Sequence, residues 1–488
     1  MAAWRLALVL TLSGAAACGK GSGGSGPPPP RPDDAGSAGA TARTRVDLAA
    51  RPLGVDQLAA YQYRTRGGHA AYQGARKAEA ARDWPAVIAQ CKQALAADPT
   101  HLDAAWLYAA ALAEQKKWND LLEPLQLAVA ADFEKYGALA LELAQLQPFL
   151  ATPTGEAWKR RVDEDRTAFL ESLSRAIVIE AEGELYAFDP KLARYHRLTR
   201  TGGGVVGALW APPGSRELAY VVRQGPKGKR ELAIGEIDLG KGTTTRTAPT
   251  GTLGPITIVY SKAASRFLVG QGGTKQTWRG LAAGKLDAMP AGTTRPPGPR
   301  IDVQRKTARR SARPDGSIVA DWDEQGLASA MRVGSSAKVI TVPSPGLIDG
   351  STVVWSPDHT RVAFVAQLQA DAVCTPGSPR AAAYTADAST GAARPLYTPS
   401  IESGKLDKGL AVEWTSDRTL AVASAAGVSI LSLDGAPPLE IPGATGLVTP
   451  RPRPRCQPAV DDDESTPDEP ELPETASGGS REMVGPPP

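Results

Sequence analysis

Residues 353–366 read VVWSPDHTRVAFVA, and the same pattern recurs as LWAPPGSRELAYVV at 209–222 and VEWTSDRTLAVAS at 412–424. Each segment has an apolar run that ends in Trp, a short stretch of turn-forming residues, and a second run in which apolar residues alternate. Two such runs joined by a tight turn are typical of a β-hairpin. Because the hairpin recurs along the chain, the sequence predicts several small antiparallel sheets instead of one large sheet.

The flanking runs extend this prediction to six sheets. Residues 176–199 read as three strands of a first sheet that lacks its innermost strand. The other five sheets are expected to begin near Val205, Pro255, Lys306, Ser351 and Gly409. The aromatic or equivalent anchors of their hairpins are Trp210, Tyr260, Ala312, Trp355 and Trp414. We expect the Trp anchors to pack in the core between neighbouring sheets, and stacking on a ligand is the alternative.

A remaining apolar run, GLVTP at 446–450, follows the last predicted sheet. It is expected to supply the missing strand of the first sheet, which would close a ring and remove two exposed sheet edges. Six sheets with Trp-Ser-Pro-Asp turns resemble the β-propeller of TolB and related periplasmic proteins. The resemblance implies an all-β propeller over 176–450 but no particular function, because propellers host hydrolases, lyases, sensors and scaffolds alike.

Ahead of these strands, apolar residues recur at helical spacing. RDWPAVIAQCKQALAADP at 82–99 and KKWNDLLEPLQLAVAADF at 116–133 align without a gap, so that Trp84 matches Trp118. We call the spacing between matched residues, which is the spacing from Trp84 to Trp118, the repeat offset. This offset and the small residues at the expected helix contacts resemble the tetratricopeptide repeat, over about 68–175. The residues that carry the resemblance are Ala75, Trp84, Ala94, Asp98, Pro99, Ala109, Trp118, Ala128 and Asp132.

A degenerate third unit is expected at 133–161, and a further helix at 164–176, within a helical region delimited as 51–175. An unrelated array of helical hairpins is the alternative. Stacked repeats leave a concave groove, so the resemblance implies a surface for a partner peptide, and the alternative role is a rigid spacer or a brace for the propeller. The predicted fold class is therefore α+β and multidomain, with a short helical array before an all-β six-bladed propeller.

The N-terminal residues 1–17 read as an export signal, since one positive charge precedes an apolar run too short to cross a membrane as a helix. Small residues before Cys18 resemble a bacterial lipobox, which implies a lipid on that Cys. An ordinary signal peptide cut near Ala17 is the alternative. The Gly- and Pro-rich segment 18–50 reads as a disordered tether. By resemblance, Gly19 after the Cys implies an outer-membrane lipoprotein that faces the periplasm or the cell surface.

The C-terminal residues 451–488 include the acidic, Pro-rich stretch DDDESTPDEPELPE at 461–474. Such a composition predicts a disordered tail. A calcium-binding or partner-recruiting segment is the alternative, although the stretch lacks the central Gly of a calcium loop. Because export leads to an oxidising compartment, a disulfide between Cys374 and Cys456 is expected, with two unrelated free thiols as the alternative.

The sequence offers few groups for catalysis. The four histidines are His69, His101, His196 and His359. No pair of them has the spacing of metal ligands. An S-x-x-K match at 335–338 and a G-x-G-x-x-G match at 21–26 both lack the structural context that these motifs need. We therefore expect no enzymatic activity, no metal and no cofactor.

The expected function is that of an envelope-anchored protein–protein interaction scaffold. Its partners would be unknown envelope proteins and, through the lipid anchor, the membrane. The formal net charge of +3 gives no reason to expect nucleic acid. The alternative function is a small-ligand or glycan-binding propeller, including a degenerate hydrolase. A polar cluster in the central channel would favour that alternative, whereas an apolar or basic groove on the helices would favour the scaffold.

Overall fold

The computed structural model describes a large part of the chain. The described residues are Leu48, 51–62, 67–210, 216–226, 230–244, 247–261, 263–272, 276–290, 300–302, 307–309, 318–323, 326–334, 336, 338–368, 380–399, 410–424, 426–444 and 446–447. Several predicted features lie outside them, namely the export signal 1–17, Cys18 and the tether apart from Leu48, Ala312, Cys374, Cys456 and the tail 451–488. Within the described residues, no helix is both long and apolar enough to span a bilayer.

Helices form the first part of the described chain. They are α1 (His69–Ala80), α2 (Trp84–Ala97), α3 (Leu102–Glu114), α4 (Trp118–Ala131), α5 (Phe133–Glu142), α6 (Gln147–Leu150) and α7 (Pro153–Arg175), with 3-10 turns at Leu58–Tyr61 and Ala144–Leu146. The helices predicted within 82–99 and 116–133 are confirmed as α2 and α4. The repeat offset carries both ends of α2 onto the corresponding ends of α4, so the sequence repeat is also a structural repeat.

The two repeats also match in the backbone conformation of their loops and in the contacts between their helices. Arg82 and Lys116 precede α2 and α4, and both have a left-handed backbone, with φ of 58° and 53°. This conformation lets the chain turn back so that α1 packs against α2 and α3 against α4. The alanines at the expected helix contacts are all buried: Ala75, Ala94, Ala109 and Ala128. Small side chains at such positions allow close approach of two helix backbones.

The third helical unit differs from the prediction. The separate helix expected at 164–176 is the second half of α7, a single helix of 23 residues that begins inside the expected unit 133–161. Thr152 caps its start, since the Thr152 hydroxyl accepts a hydrogen bond from the Gly155 N–H at 3.0 Å. No Pro or Gly follows Gly155 within α7, so no residue breaks the helix.

Strands form the rest. They are β1 (Ile177–Ala181), β2 (Glu184–Asp189), β3 (Arg194–Arg197), β4 (Val205–Trp210), β5 (Glu217–Gln224), β6 (Glu231–Asp238), β7 (Thr243–Thr244), β8 (Ala248–Pro249), β9 (Ile256–Ser261), β10 (Arg266–Gln271), β11 (Thr277–Ala282), β12 (Lys285–Ala288), β13 (Arg300–Asp302), β14 (Thr307–Arg309), β15 (Ile318–Val319), β16 (Leu327–Ala328), β17 (Ala330–Val333), β18 (Ile340–Thr341), β19 (Leu347–Asp349), β20 (Val354–Trp355), β21 (Arg361–Gln367), β22 (Ala381–Asp387), β23 (Ala393–Tyr397), β24 (Ala411–Trp414), β25 (Thr419–Ser424), β26 (Gly427–Ser432), β27 (Leu439–Ile441) and β28 (Gly446–Leu447).

The strands pair into several antiparallel sheets. In sequence order, the sheets are β28-β1-β2-β3, β4-β5-β6-β7 with β8 on β6, β12-β11-β10-β9-β13-β14, β15-β17-β18, β16-β19-β21-β22-β23 with β20 on β21, and β24-β25-β26-β27. The three hairpins read from the sequence are confirmed as the pairs β4 with β5, β20 with β21 and β24 with β25. The described part of the chain is therefore a helical region followed by many antiparallel sheets.

The first sheet contains both its expected strands and the end of the described chain. Residues 176–199 form β1, β2 and β3, as predicted. β28 pairs with β1, so that Leu447 lies opposite Ile179 and Gly446 opposite Glu180. This pairing is the one expected for the start of 446–450; residues 448–450 lie outside the described residues.

The middle sheets depart from the prediction. The sheet expected to begin near Lys306 does not begin there, because β13 pairs with β9 and β14 pairs with β13, which extends the third sheet. β9 would otherwise present a free edge, and β13 covers it. The fifth sheet begins before the expected Ser351, since β16 and β19 join the edge of β21 that β20 also uses.

The central strands are buried on both faces. In β21, Val362 and Phe364 pack with the fourth sheet, whereas Ala363 and Val365 pack with the last sheet. Successive side chains of a strand point to opposite faces, so one strand can contribute to two apolar layers. β5 and β25 alternate in the same way between two clusters. Consecutive sheets thus pack face to face, which explains why their strands are rich in apolar residues on both faces.

The helices and the first sheet share one apolar core. Phe169 of α7, Ile179 of β1, Tyr220 of β5 and Ala421 of β25 belong to the same cluster. The first sheet therefore packs against α7, the second sheet and the last sheet. The segment before α1 also joins the regions, because the single hydroxyl hydrogen of Tyr61 is shared between the carbonyl oxygens of Ala131, at 2.8 Å, and Tyr195, at 3.1 Å.

Candidate binding groove on the helices

A cleft of about 340 Å³ opens on one face of the helical region. Most of its lining comes from α1, α3 and α5, with the start of α2 and the chain after α5 at its edges. The lining residues are Tyr72, Arg76, Glu79, Trp84, Asp103, Trp106, Leu107, Ala110, Glu114, Lys135, Tyr136, Leu139, Leu143 and Gln145. We refer to this cleft as the helical groove.

The repeat positions the aromatic side chains of the groove. Tyr72 of α1 and Trp106 of α3 are separated by the same repeat offset that relates α2 to α4. Equivalent positions of two repeats face the same side of the array, so both rings reach the groove. Tyr136 of α5 continues the row: its ring stacks on Trp106 with centroids 4.7 Å apart and an interplanar angle of 19°.

A small polar network around Asp103 holds the side chains at the base of the groove, beside this aromatic stack. Asp103 accepts hydrogen bonds from the hydroxyl of Tyr136 and, at 2.6 Å, from Nζ of Lys135. Nζ of Lys135 also lies 4.6 Å from the centroid of the Tyr136 ring. Because Tyr136 is only 1% exposed, its hydroxyl needs such an acceptor. The network thus holds Tyr136 in place as a rigid support for the Trp106 ring.

Three hydrogen-bond donors of the groove are left over. Within the described residues, the indole N–H groups of Trp84 and Trp106 and the hydroxyl of Tyr72 have no hydrogen-bond acceptor. All three side chains are half-buried and pack with their apolar parts against the core. Burial, followed by the negative charge of Asp103, raises the pKa of Tyr72 to about 12, so its hydroxyl keeps its proton.

The charges of the groove are largely paired among themselves. Arg76 forms an ion pair with Glu79, and Lys135 forms one with Asp103. Glu114, at the end of α3, is exposed and has no ion-pair partner within the described residues. The lining holds two cations and three carboxylates, so its formal charge is −1 and Glu114 carries the uncompensated charge.

A second polar cluster lies where α7 meets the first sheet. The hydroxyl of Ser172 donates to Oδ2 of Asp189 at 2.7 Å and lies 2.9 Å from Nε2 of His196. Since the Ser172 hydrogen goes to the carboxylate, Nε2 of His196 is the donor of the second bond. Arg175 binds the same carboxylate, with Nε 2.9 Å from Oδ1.

This cluster has the residue types of a catalytic triad but the surroundings of a structural contact. Ser172 is 1% exposed and His196 is 2% exposed. Burial lowers the pKa of His196 to about 4, although Asp189 acts in the opposite direction. Burial also opposes ionisation of Asp189, but hydrogen bonds from Arg175 and Ser172 hold its pKa below its ordinary value. The network joins α7 to the sheet, and the buried Ser172 hydroxyl donates its proton to Asp189 instead of His196.

The four histidines lie at two helix starts, in a strand and in a turn. His69 is the first residue of α1, and His101 caps α3 by accepting from the Ala104 N–H at 3.2 Å. His196 lies in β3, and His359 lies in the turn before β21. The rings of His69 and His101 stack at 5.8 Å, face to face. Among the described residues, no three His, Cys, Asp or Glu side chains form a group that could hold a metal ion.

The other residues singled out in the repeat have capping and bridging contacts. Oδ1 of Asp98 accepts from the N–H of Thr100 at 3.1 Å and from its hydroxyl at 2.8 Å. Asp132 caps α5 and forms an ion pair with Arg200. Trp84 lines the helical groove, whereas Trp118 packs on Phe149 with centroids 6.0 Å apart. Pro99 is exposed in the turn after α2.

The described aromatic anchors of the sheets are involved in packing. Trp355 is 9% exposed and belongs to the cluster between the fourth and fifth sheets. The Trp414 indole donates to the Val354 carbonyl at 3.1 Å, which ties the last sheet to the fifth. Tyr260 packs edge-on against Phe267, with centroids 5.2 Å apart. Trp210 ends β4, and its side chain lies outside the described part.

Sequence reasoning singled out Trp84 but missed Tyr72, Trp106 and Tyr136 of the groove, and it missed the buried cluster. The signal for Tyr72 and Trp106 was present, because the repeat offset relates them as it relates the alanines. Tyr136 does not stand at the repeat offset from Trp106, so the repeat gives no signal for it. The meeting of Ser172, Asp189 and His196 has no sequence signal, since a helix and two strands bring them together.

Comparisons with known proteins give no family. No protein-family model matches the chain, and no curated protein matches it. A solved GH74 enzyme from Niastella koreensis is 13% identical over 54% of this chain and 45% of its own, with a TM-score of 0.24. A eukaryotic initiation factor is 12% identical over 57% of this chain and 65% of its own, with a TM-score of 0.19. A protein from Lactobacillus plantarum is 15% identical over 53% of this chain and 76% of its own, with a TM-score of 0.23.

This chain thus spans less than two thirds of the first two of these structures. At TM-scores of 0.24 or less, the likenesses bear on neither fold nor function.

Proposed function

We propose that this protein is a non-enzymatic interaction scaffold of the bacterial envelope, in which the helical groove binds a segment of a partner protein. The observation that carries the proposal is the group of half-buried aromatic side chains on α1, α2 and α3, with two indole N–H groups and a hydroxyl that have no acceptor within the described residues. Trp and Tyr side chains that combine an apolar face with a polar edge are typical of the central residues of binding interfaces.

We propose in addition the second role considered for the helical region, that of a brace. α5 and α7 pack on the first sheet, while α1 and α3 contribute to the groove. The ion pair between Asp132 and Arg200 and the contacts of Ser172 tie these two helices to the strands. A groove on a firmly held array presents its side chains in fixed positions, which lowers the entropy cost of binding.

The groove function is tested by photo-crosslinking in the native envelope. Leu139 lines the groove and is 38% exposed, and we would replace it with a photoreactive amino acid. Leu192 is 49% exposed in the turn between β2 and β3, and it serves as the matched control. We expect a discrete adduct from position 139 and none from position 192. No adduct at 139, or the same adducts at both positions, would contradict the proposal.

We infer that residues 176–450 form a six-bladed TolB-like propeller and that residues 68–175 form an array of tetratricopeptide type. Support for the propeller comes from the packing order, in which the first sheet contacts both the second and the last sheet. Support for closure comes from β28 on β1. Support for the repeat comes from the matching ends of α2 and α4 at the repeat offset.

Closure is tested by two truncations. Ending the chain after Pro442 removes β28, and we expect aggregation because β1 then has an unpaired edge. Ending it after Gln457 keeps β28 and Cys456, so we expect the solubility and melting temperature of the full chain. A reductant should lower that melting temperature if the predicted Cys374–Cys456 disulfide forms. A shorter chain that melts like the full protein would contradict closure.

The anchor is tested at Cys18. We propose outer-membrane attachment through a lipid on this residue, supported by the sequence alone. Cys18→Ser should abolish incorporation of labelled fatty acid and release the protein from the membrane fraction. Unchanged labelling would favour the ordinary signal peptide.

A further inference from the structure

The half-buried aromatic side chains of the helical groove present only hydrogen-bond donors. Within the described residues, the indoles of Trp84 and Trp106 and the hydroxyl of Tyr72 have no acceptor. The unpaired acceptors of the lining are exposed, namely the carboxylate of Glu114 and the side-chain amide oxygen of Gln145. The carboxylates of Glu79 and Asp103 are already paired with cations of the groove itself. A ligand that lies along the aromatic side chains must therefore bring acceptors, and its donors can be satisfied only beside Glu114 and Gln145.

The need for hydrogen-bond acceptors favours one conformation of the ligand backbone over another. A helical peptide uses its carbonyl groups internally, so on docking it would cover the three donors without satisfying them. An extended proline-rich segment has free carbonyl groups along its length, and each Pro lacks the N–H donor. Proline rings also pack well on aromatic faces, and the pre-set φ of Pro reduces the entropy lost on binding.

Charge gives the second requirement. Arg76 and Lys135 have carboxylate partners, whereas Glu114 has none of the opposite charge within the described residues. A ligand with one basic side chain would neutralise Glu114 and add no uncompensated charge. An acidic ligand would place like charges together at the end of α3.

We propose, resting on the proposed groove function, that the ligand of the helical groove is a proline-rich peptide segment with a single basic residue, supplied by a protein partner. The chain's own proline runs fit less well. PPPPRP at 27–32 is followed directly by Asp33 and Asp34, which would approach Glu114, and RPRPR at 451–455 brings three Arg toward a groove with one unpaired carboxylate.

The test measures binding of labelled synthetic peptides to the full chain by fluorescence anisotropy. The probe is PPPPRPPP; the comparison peptides are AAAARAAA, which keeps the charge but has backbone N–H groups, and PPPPEPPP, which reverses the charge. We expect PPPPRPPP to bind at least about tenfold more tightly than AAAARAAA, a difference of about 1.4 kcal/mol. PPPPEPPP should bind more weakly than PPPPRPPP at low salt, and the difference should shrink at high salt.

Conservative variants remove a single hydrogen-bond donor and keep the packing of the ring, so a loss of binding cannot be attributed to loss of the fold. Trp106→Phe keeps a ring on Tyr136 but removes the N–H, and Tyr72→Phe removes only the hydroxyl. Each should weaken PPPPRPPP about 3- to 10-fold, as expected for loss of one hydrogen bond. Glu114→Gln should equalise the affinities for PPPPRPPP and PPPPEPPP. Leu192→Ala changes a residue that does not line the groove and should leave every affinity unchanged.

Several outcomes would overturn the inference. Equal binding of PPPPRPPP and AAAARAAA, or full affinity in both Phe variants, would show that the groove does not select proline-rich segments. If Pro27–Pro30→Ala or the triple change of Arg451, Arg453 and Arg455 to Gln in the full chain strengthens probe binding, the chain itself supplies the occupant instead of a partner. Crosslinking from position 139 without probe binding would leave the groove function intact and reject only the proline-rich ligand.

Discussion

The aromatic residues of the helical groove and those of the sheets differ in how completely the fold surrounds them and pairs their polar atoms. In the sheets, Trp414 donates to Val354 of the neighbouring sheet and Phe364 stacks on Tyr384 at 5.7 Å, with Phe364 fully buried. In the groove, Trp106 stacks on one side only and keeps its N–H unused within the described residues. We therefore propose that a half-buried aromatic residue whose hydrogen-bond donor has no acceptor is a better indicator of a binding surface than an aromatic residue alone.

The largest effect should separate these two kinds of aromatic residue. Phe364→Ala removes a ring from the layer between two sheets, and we expect a loss of about 3 to 5 kcal/mol in the free energy of unfolding. Trp106→Phe should lose only about 1 kcal/mol while it weakens peptide binding. Chemical denaturation of both variants measures the two free energies of unfolding. Similar losses in both variants would mean that groove and sheet aromatic residues do not differ in their contribution to stability.

The junction between helices and sheet should respond to pH. His196 has an unfolded pKa of about 6.5 and a folded pKa lowered to about 4, so between these values the unfolded chain binds more protons. The free energy of unfolding should therefore fall as the pH falls from 6.5 to 4, by up to about 3 kcal/mol. Asp189, Arg175 and Arg194 are the charged groups that act on His196, and Asp189 loses its own contribution only at lower pH.

The measurement is urea denaturation at several pH values. His196→Gln should lower stability at pH 7 but flatten its pH dependence across the window. A variant that keeps the wild-type slope would show that other groups cause it.

Two alanines of the helical region should differ in tolerance. Ala94 is fully buried between helices, so Ala94→Leu should overpack that contact and cost about 1 to 3 kcal/mol. Ala110 is half-buried in the groove wall, so Ala110→Leu should cost little stability, about 0.5 kcal/mol or less, but should narrow the groove and weaken PPPPRPPP. Equal melting temperatures of the two variants would mean that Ala94 is not at a close contact.

The smallest expected change in the free energy of unfolding comes from Gly substitutions at left-handed residues, and it should be the same in the helical region and in the sheets. Arg82 in a helical loop has φ of 58°, and Ala193 in the turn before β3 has φ of 50°. Left-handed backbone disfavours residues with a Cβ, while Gly costs more entropy on folding. We expect Arg82→Gly and Ala193→Gly each to stabilise by about 0.5 kcal/mol. If only one of the two variants is more stable, a side-chain contact of the other residue outweighs its backbone strain.

The sequence alone determined the features that depend on neighbours along the chain. The hairpins around Trp355 and Trp414 follow from alternating apolar runs and turn residues, and the ends of α2 and α4 follow from the repeat offset. These structures use hydrogen bonds between residues close in sequence, so their signals are local. The strand at 446–447 was also within reach, because a first sheet with three strands leaves an edge to be covered.

Only the tertiary structure decided which distant groups meet. The pairing of β13 with β9 moved β13 and β14 into the third sheet, since any free edge can accept a strand of suitable length. Ser172, Asp189 and His196 come from a helix and two strands whose packing sets their distances. The groove donors are likewise free because no acceptor of the described fold comes within reach. Periodicity fixes the face on which a residue lies, whereas the partner on that face depends on the packing of the whole chain.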